Sequence, residues 1–394
     1  MDEEYNQKSL QLQESHSRKK GRGVPFQDVT NMLPHLQQIT DRPPMTTFVE
    51  GYEVPPCCAL PNQQIHPSLS RYVDVPSRFG HMTYSALMEI LRDETKTMNL
   101  LGTTGCMAPF QTCENCGHKM KREYSPINKW RWVCNRRQGG NACKRAFSVK
   151  RGTFFENGKL SLAQNVLLIW HFVHHLSQEQ CRQFVDFGQN KKTVTNHYSS
   201  CREVCPKWIH KNWEPIGGKG HVVEIDESYF AGQQKYGKGK PTTWKFPWVF
   251  RCHLRHSHLV WLQRVPERDR DTLVPIIEER VAKCTTIYSD CWAAYKNLQQ
   301  YFECEEHFTV NHKRHYVDPT TGAHTQTIEG SWKHCKIFLP SLGLKEDQLN
   351  GYLGQFMWDR WAKEYHKDPF IFFLECLPEI YPPFRSQYNG VREV

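Results

Sequence analysis

The pattern of apolar and polar positions divides the chain into stretches of different period. Up to about residue 80 neither a helical nor a strand period is sustained, and Pro, Gln and small polar residues dominate, which predicts a disordered tail over 1–80. From Thr83, Leu87, Ile90, Leu91 and Met98 recur at helical spacing, so an N-terminal helix is expected within 81–105. After a cysteine-rich stretch over 106–155, three helical runs fill 156–216: LSLAQNVLLIWHFVHHL, SQEQCRQFVDFG and NKKTVTNHYSSCREVCPKWIHK. The Gly-containing turn before the third gives a helix-turn-helix outline.

Beyond Gly217-Gly218 the period shortens. HVVEIDESYF, WKFPWVFRCHL and HLVWLQRV read as strands, DTLVPIIEERV as a helix and TTIYSD as a strand. A helix from Cys291, a strand near HFTV and helices over 325–338 and 345–364 complete the region. Strands interleaved with helices in this order predict an α/β fold, a mixed sheet flanked by helices over 217–368, with a C-terminal tail over 369–394.

Composition narrows the function classes. With 394 residues, 39% hydrophobic and 12% aromatic, the chain can build two or three cores, and wholesale disorder is excluded. Lys plus Arg number 51 against 41 Asp plus Glu, a surplus of 51 − 41 = +10 that favours a polyanionic partner, nucleic acid first. The first thirty residues contain no apolar signal core, so the 16 cysteines are expected as reduced thiols in an intracellular protein. No apolar run approaches the roughly 18 residues of a membrane span, so no membrane partner is expected. The basic cluster Arg18, Lys19, Lys20 and Arg22 suits a nuclear localisation signal or a DNA-grazing arm, and equally a solvated charge run.

Four cysteines carry metal-ligand spacing. Cys113 and Cys116 form a C-x2-C knuckle; Cys134 follows after seventeen residues and Cys143 after eight more. Two thiolate pairs presented from turns and a hairpin close a tetrahedral structural Zn²⁺ site, provided the second pair is a looped knuckle; buried or free thiols are the plain alternative. Lys119, Lys121, Arg122, Lys129, Arg131, Arg136 and Arg137 lie around the cluster with Tyr124, Trp130 and Trp132, a mixture that suits phosphate contact and stacking. In the third helical run Lys191 and Lys192 begin a candidate recognition helix, with Thr193, Thr195, Asn196 and Tyr198 placed to reach DNA.

Three carboxylates stand out in the last half. In VVEIDESYF the strand period puts Val222, Glu224, Asp226 and Ser228 on one face and Val223, Ile225 and Glu227 on the other. A carboxylate inside so apolar a strand needs a reason. Asp290 ends the strand TTIYSD, at the edge where sites of open α/β sheets gather. Glu329 lies on a helix whose Ile328, Trp332, Cys335 and Leu339 form an apolar stripe, while Gln326, Glu329, Lys333 and Lys336 share the other side. Two strand-borne Asp and one helix-borne Glu can converge on two Mg²⁺ (or Mn²⁺) ions, the arrangement for in-line phosphoryl displacement, with Lys333 and Lys336 on the DNA backbone.

The segments GHVVEIDESYF, WVF, VPERDRDTLVPII, TTIYSDCWAAY and VNHKRHYVDPTTGAHTQTIEGSWKHCK resemble DDE transposases of the Merlin type and their bacterial insertion-sequence relatives. The resemblance covers about residues 113 to 365. It implies a zinc ribbon ahead of a ribonuclease-H-like catalytic domain, with Asp226, Asp290 and Glu329 as the catalytic triad and metal ligands, 38 residues separating the last two. It likewise implies Cys113, Cys116, Cys134 and Cys143 as zinc ligands. The expected activity is binding of double-stranded element ends (terminal inverted repeats), Mg-dependent cleavage and strand transfer into target DNA. The expected partners are DNA and a second copy of the chain, in a homodimer or larger synaptic assembly. The expected location is the nucleus in a eukaryotic host and otherwise the cytoplasm, on DNA. Arg251 and Cys252 depart from the small residues the family tends to place after WVF. Asn311, His312, Asp318 and His324 suit either a site-flanking role or plain turn chemistry. The competing reading is a domesticated DNA-binding regulator that keeps the fold without the activity.

Overall fold

A computed structural model describes residues 81–127, 129–138, 141–184, 192–230, 244–245, 248–311, 316–340 and 344–385. The tail expected over 1–80, the basic cluster at 18–22, Lys191 and His312 lie outside the described residues.

The expected first helix is two helices, α1 (Tyr84–Leu91) and α2 (Glu94–Thr103). The break falls at Asp93, whose extended backbone and carboxylate, accepting from Thr95 and Lys96 N–H, cap α2 instead of continuing α1. A small antiparallel sheet follows, β1 (Lys121–Ser125), β2 (Lys129–Val133) and β5 (Ala146–Ser148), with a two-residue hairpin of β3 (Arg137–Gln138) and β4 (Asn141–Ala142) between its last two strands.

Three helices come next. α3 (Leu162–Val173) starts at a reciprocal capping box between Ser161 and Gln164 and is buried on almost every side. α4 (Gln178–Phe184) is short, and α5 (Lys192–Asn212) runs for 21 residues. The chain then enters a five-stranded sheet made of β7 (Val222–Tyr229), β8 (Trp248–Leu254), β9 (Val260–Val265), β11 (Thr286–Asp290) and β12 (His307–Val310), in the order β12-β11-β7-β8-β9. β7, β8 and β9 form an antiparallel meander, whereas β11 lies parallel to both β7 and β12. The return from β9 to β11 is made by α6 (Arg270–Arg280), capped by Asp269. A second pair, β6 (Ile216–Gly217) with β10 (Val281–Ala282), is parallel.

The helix expected from Cys291 is two short 3₁₀ turns, 293–295 and 298–300, because Asn297 between them adopts a left-handed φ of 59°. α7 (Gln326–Phe338) and α8 (Leu349–Glu364) fall close to their expected spans. The segment expected as a tail over 369–394 opens instead with α9 (Pro369–Ile380), capped by Asp368 with Pro at its first position. Its run Phe370, Ile371, Phe372, Phe373 and Leu374 is buried. Phe372 lies parallel to Trp358 and Trp361 at 5.0 Å from each ring centroid, and Trp208 of α5 meets it edge-on at 5.0 Å. Burial of such rings stabilises the fold by roughly 2 kcal/mol each, which makes this end of the chain core and not appendage. α5 and α8 approach so closely at Pro206 and Gly354 that a Cβ on Gly354 would come within 2.5 Å of the proline ring.

Candidate active site and cysteine centre

β7 carries three carboxylates with three different environments. Glu224 is fully buried; its Oε2 accepts from the backbone N–H of Ile328 at 2.7 Å, in the first turn of α7, and its Oε1 pairs with Arg255 Nε at 3.1 Å. Glu227, on the opposite face, accepts from Arg268 Nε and Nη2 at 3.1 and 2.9 Å. Asp226 lies between them and takes N–H donors in place of a cation: Oδ1 accepts from the Glu227 backbone at 2.8 Å and Oδ2 from the Trp332 indole at 2.9 Å.

Sheet register brings Asp290 alongside. Glu224 pairs with Tyr288 in the parallel β7–β11 ladder, and Asp226 and Asp290 each stand two residues further on. Asp290 Oδ1 accepts from Trp292 N–H at 2.9 Å, which fixes the turn after β11. Glu329 projects from the first turn of α7, exposed, one turn before Trp332. The Asp226 pKa is raised to about 6 in all: burial raises it most, the Trp332 and Glu227 donors pull it down, and the charges of Asp290 and Glu329 push it up again. Burial also raises Glu227, to about 7, even with Arg268 beside it. Thus Asp226, Asp290 and Glu329 share one electrostatic neighbourhood, and their oxygen-only donor set suits hard divalent cations such as Mg²⁺. They are more widely spaced than the thiols described below, in keeping with the repulsion of like charges.

The surroundings of α7 show why the helix sits there. Arg251, fully buried on β8, is the ladder partner of Asp226; it donates to Ser331 Oγ and lies 5.0 Å from the Trp332 ring centroid. Trp332 is therefore held by a cation on one side while its N–H reaches Asp226. Lys333 and Lys336 are exposed on the same helix, with Lys336 Nζ 5.3 Å from the Phe230 ring centroid. Arg255, besides pairing with Glu224, donates to His324, so His324 serves the packing of this corner. Asp318 accepts from the backbones of Thr320 and Thr321 at 3.0 and 2.8 Å and is a turn residue.

In the helical region Lys192, Thr195 and Asn196 are exposed at the start of α5, and Thr195 Oγ1 donates to Gln178 of α4 at 2.7 Å. Tyr198 corrects the sequence reading: it is buried and its hydroxyl donates to Leu176 O at 3.0 Å, so it does not share the exposed surface of Lys192, Thr195 and Asn196. Beyond its first turns α5 presents Cys201, Val204, Cys205, Trp208 and Ile209 to the core.

The four cysteines converge. Their sulfurs all lie within 4.8 Å of one another, with Cys113–Cys143 and Cys116–Cys134 at 3.5 Å, and no other set of three or more His, Cys, Asp or Glu among the described residues gathers so tightly. The first knuckle turns through Gly117 at φ 65°, and the β3–β4 hairpin fills the eight-residue gap of the second. Burial pushes the Cys134 thiol up to about 12, while hydrogen bonds to its thiolate lower Cys116 to about 7 against the desolvation that raises it. Four sulfurs at this spacing fit a structural Zn²⁺. Around them Lys121, Arg122 and Lys129 are exposed and Tyr124 packs on Trp130 at 5.4 Å, but Trp132 is buried and belongs to the ribbon's own core.

Sequence reasoning placed the three carboxylates and the four thiols. It did not assign Trp332 as a donor, Glu224 as the tie to α7, or Arg251 as the support beneath Trp332. Its one signal for these was the presence of three acidic residues in an apolar strand and an arginine in the next.

Residues 218–360 match the model of the ISXO2-like transposase domain. Over 95 residues, 24% of this chain and 74% of the other, the chain is 28% identical to an uncharacterized transposase-like protein of Haemophilus influenzae (strain ATCC 51907 / DSM 11121 / KW20 / Rd). Among solved structures, a chain of the simian T-cell lymphotropic virus intasome in complex with PP2A regulatory subunit B56 gamma aligns with 58% of this chain and 80% of its own, at 14% identity and a TM-score of 0.24. The likeness to insertion-sequence transposases lies in the stretch 218–360, which carries Asp226, Asp290 and Glu329. No helix among the described residues is long and apolar enough to cross a membrane.

Proposed function

We propose that the protein is a metal-dependent DNA transposase with a ribonuclease-H-like catalytic domain, in which Asp226, Asp290 and Glu329 form the catalytic centre. The observation that carries the reading is the contrast within β7: Glu224 and Glu227 are each ion-paired with an arginine, whereas Asp226 is held directly only by N–H donors, with two further carboxylates and the buried Arg251, its ladder partner, as charged neighbours. A cluster of this kind suits cation binding better than it suits stability.

Bound there, a pair of Mg²⁺ ions would supply charge neutralisation at both the attacking and the leaving oxygen of a phosphodiester. The protein's own part is positioning. Trp332 and the Glu227 N–H hold the Asp226 carboxylate in one orientation, Trp292 N–H does the same for Asp290, and Glu224 fixes the first turn of α7, the turn that bears Glu329. Orientation of this kind accounts for a large part of the rate in phosphoryl transfer, where the protein forms no covalent intermediate. Lys333, Lys336 and the exposed start of α5 with Lys192, Thr195 and Asn196 are proposed DNA contacts. The cysteine centre with its basic, aromatic surface is a proposed zinc ribbon that assists end binding, in an assembly of two or more copies.

The test is Mg²⁺-dependent nicking of labelled DNA bearing the inverted repeat that flanks the gene, with wild type beside Asp226→Asn, Asp290→Asn and Glu329→Gln. Cleavage by wild type alone supports the reading. Tight binding without cleavage by any form favours the domesticated regulator, and full cleavage by all three variants removes the assigned triad.

A further inference from the structure

Next to the carboxylates stands an aromatic and cationic stack that the reaction itself does not use. Trp292, two residues after Asp290, is 39% exposed although both of its N–H groups are bound inside the protein, the backbone one to Asp290 and the indole one to Arg268 O at 2.8 Å. The ring is thus fixed while a large part of it faces solvent. Arg268 lies beneath it, its guanidinium 4.3 Å from the Trp292 centroid and 4.1 Å from that of Trp248, and it is tethered in turn to Glu227, the neighbour of Asp226. A cavity of about 490 Å³ opens here, lined by Glu267, Arg268, Asp269, Arg270, Trp292 and Ala294.

The charges define what can enter. Arg268 is neutralised by Glu227, and Arg270 is spent on Ala294 O, Lys296 O and the Tyr301 hydroxyl at 3.3, 3.0 and 2.8 Å. Glu267 and Asp269 are exposed at the rim. A phosphate would meet two carboxylates and arginines already engaged. A flat neutral ring bearing amino donors would meet an indole face and acidic acceptors.

We propose that Trp292, backed by Arg268, is the stacking platform for a single unpaired nucleobase of the DNA strand that lies at the Asp226 and Asp290 carboxylates. The inference rests on the DNA-processing reading above and adds to it a base-binding subsite. A rigid, exposed aromatic within one turn of a catalytic carboxylate would hold an unstacked base beside the scissile phosphate, and base–aromatic stacking tolerates any sequence because every base offers a π face.

The experiment measures binding of full-length protein, with Ca²⁺ in place of Mg²⁺ to block cleavage, to the inverted-repeat duplex in two forms: fully paired, and with its terminal nucleotides unpaired and one replaced by 2-aminopurine. Wild type is expected to bind the unpaired form more tightly and to quench its fluorescence. Trp292→Ala is expected to raise the Kd for the unpaired form about 10-fold, the size of one lost stack, with the paired form within about 2-fold. Trp292→Phe is expected to restore most of the difference. Equal effects of Trp292→Ala on both forms, or unchanged binding and quenching, overturn the subsite while wild-type nicking keeps the transposase reading intact. Failure of wild type to bind either form overturns both.

Discussion

The indole N–H of Trp332 donates to Asp226 Oδ2 across 2.9 Å, and this one bond joins the helix that bears Glu329 to the strand that bears Asp226. Because Trp332 also lies over Arg251, its ring cannot swing away without uncovering a buried cation. The geometry of the carboxylate centre is therefore built into the packing of α7 on β7 and β8.

Trp332→Phe keeps an aromatic ring and removes the donor. A hydrogen bond to a charged group is worth about 1.5–3 kcal/mol, so the single-turnover nicking rate should fall about 10- to 100-fold, and the melting temperature should fall as well because the smaller phenyl ring also loses packing. An unchanged rate would show that Asp226 needs no such anchor.

Glu224→Ala leaves Arg255 and the Ile328 N–H without their buried partner. Removing one member of a buried ion pair costs about 3–5 kcal/mol, and urea denaturation should register that loss. Glu224→Gln keeps an acceptor for Ile328 and should lose less. Equal, small effects of both would argue that α7 is held by its apolar face alone.

Gly152 adopts φ +70°, and a Cβ there would come within 2.5 Å of Phe384 Cβ and 3.1 Å of the Phe384 backbone nitrogen. Arg151 lies 4.3 Å from the Phe384 ring centroid and Phe147 meets it edge-on, so the chain beyond α9 straps the ribbon to the helical core. Gly152→Ala should destabilise by about 1–2 kcal/mol from backbone strain alone and expose the C-terminal segment to earlier proteolysis. Wild-type digestion kinetics would contradict the strap.

The cysteine centre should hold one zinc per chain. Cys134→Ala should abolish stoichiometric zinc in elemental analysis, and chelation should loosen β1, β2 and β5 first in hydrogen exchange, since a closed thiolate site stabilises mainly the fold around it. A protein that purifies without zinc and shows the same exchange would return the four residues to plain thiols.

His171 is buried and hydrogen-bonded to Cys181 at 3.0 Å; burial, with a smaller push from His174, lowers its pKa to about 4. Its folded-state pKa lies below the unfolded value near 6.5, so its contribution is complete above about 6.5 and is lost as pH falls toward 4. The raised carboxylates Asp226 and Glu227 act in the opposite direction, so the comparison that isolates His171 is with a variant. Wild type should lose melting temperature relative to His171→Gln between pH 7 and 5. A constant difference would exclude the linkage.

The strand that bears Asp226, the end position of Asp290, the face of α7 that bears Glu329 and the two cysteine pairs were all legible in the chain, because period-two and period-3.6 patterns and ligand spacings are local properties. Capping residues misled where one side chain redirects the backbone, as Asp93 splits the first helix and Asn297 prevents a longer one. The apolar run after Asp368 gave the residues of a helix, but only the aromatic surface of α5 and α8 makes it core instead of tail. Tyr198 is the reverse case: its place in a helix start suggested contact with a ligand, and the carbonyl of Leu176 takes its hydroxyl instead. The identity of each carboxylate's partner was likewise beyond local pattern. Arginines 31 and 41 residues away along the chain neutralise Glu224 and Glu227, while an indole 106 residues away orients Asp226. Sequence determined which groups exist and on which face they lie; the tertiary structure decided which charges are compensated, because that depends on long-range contacts that no local period encodes.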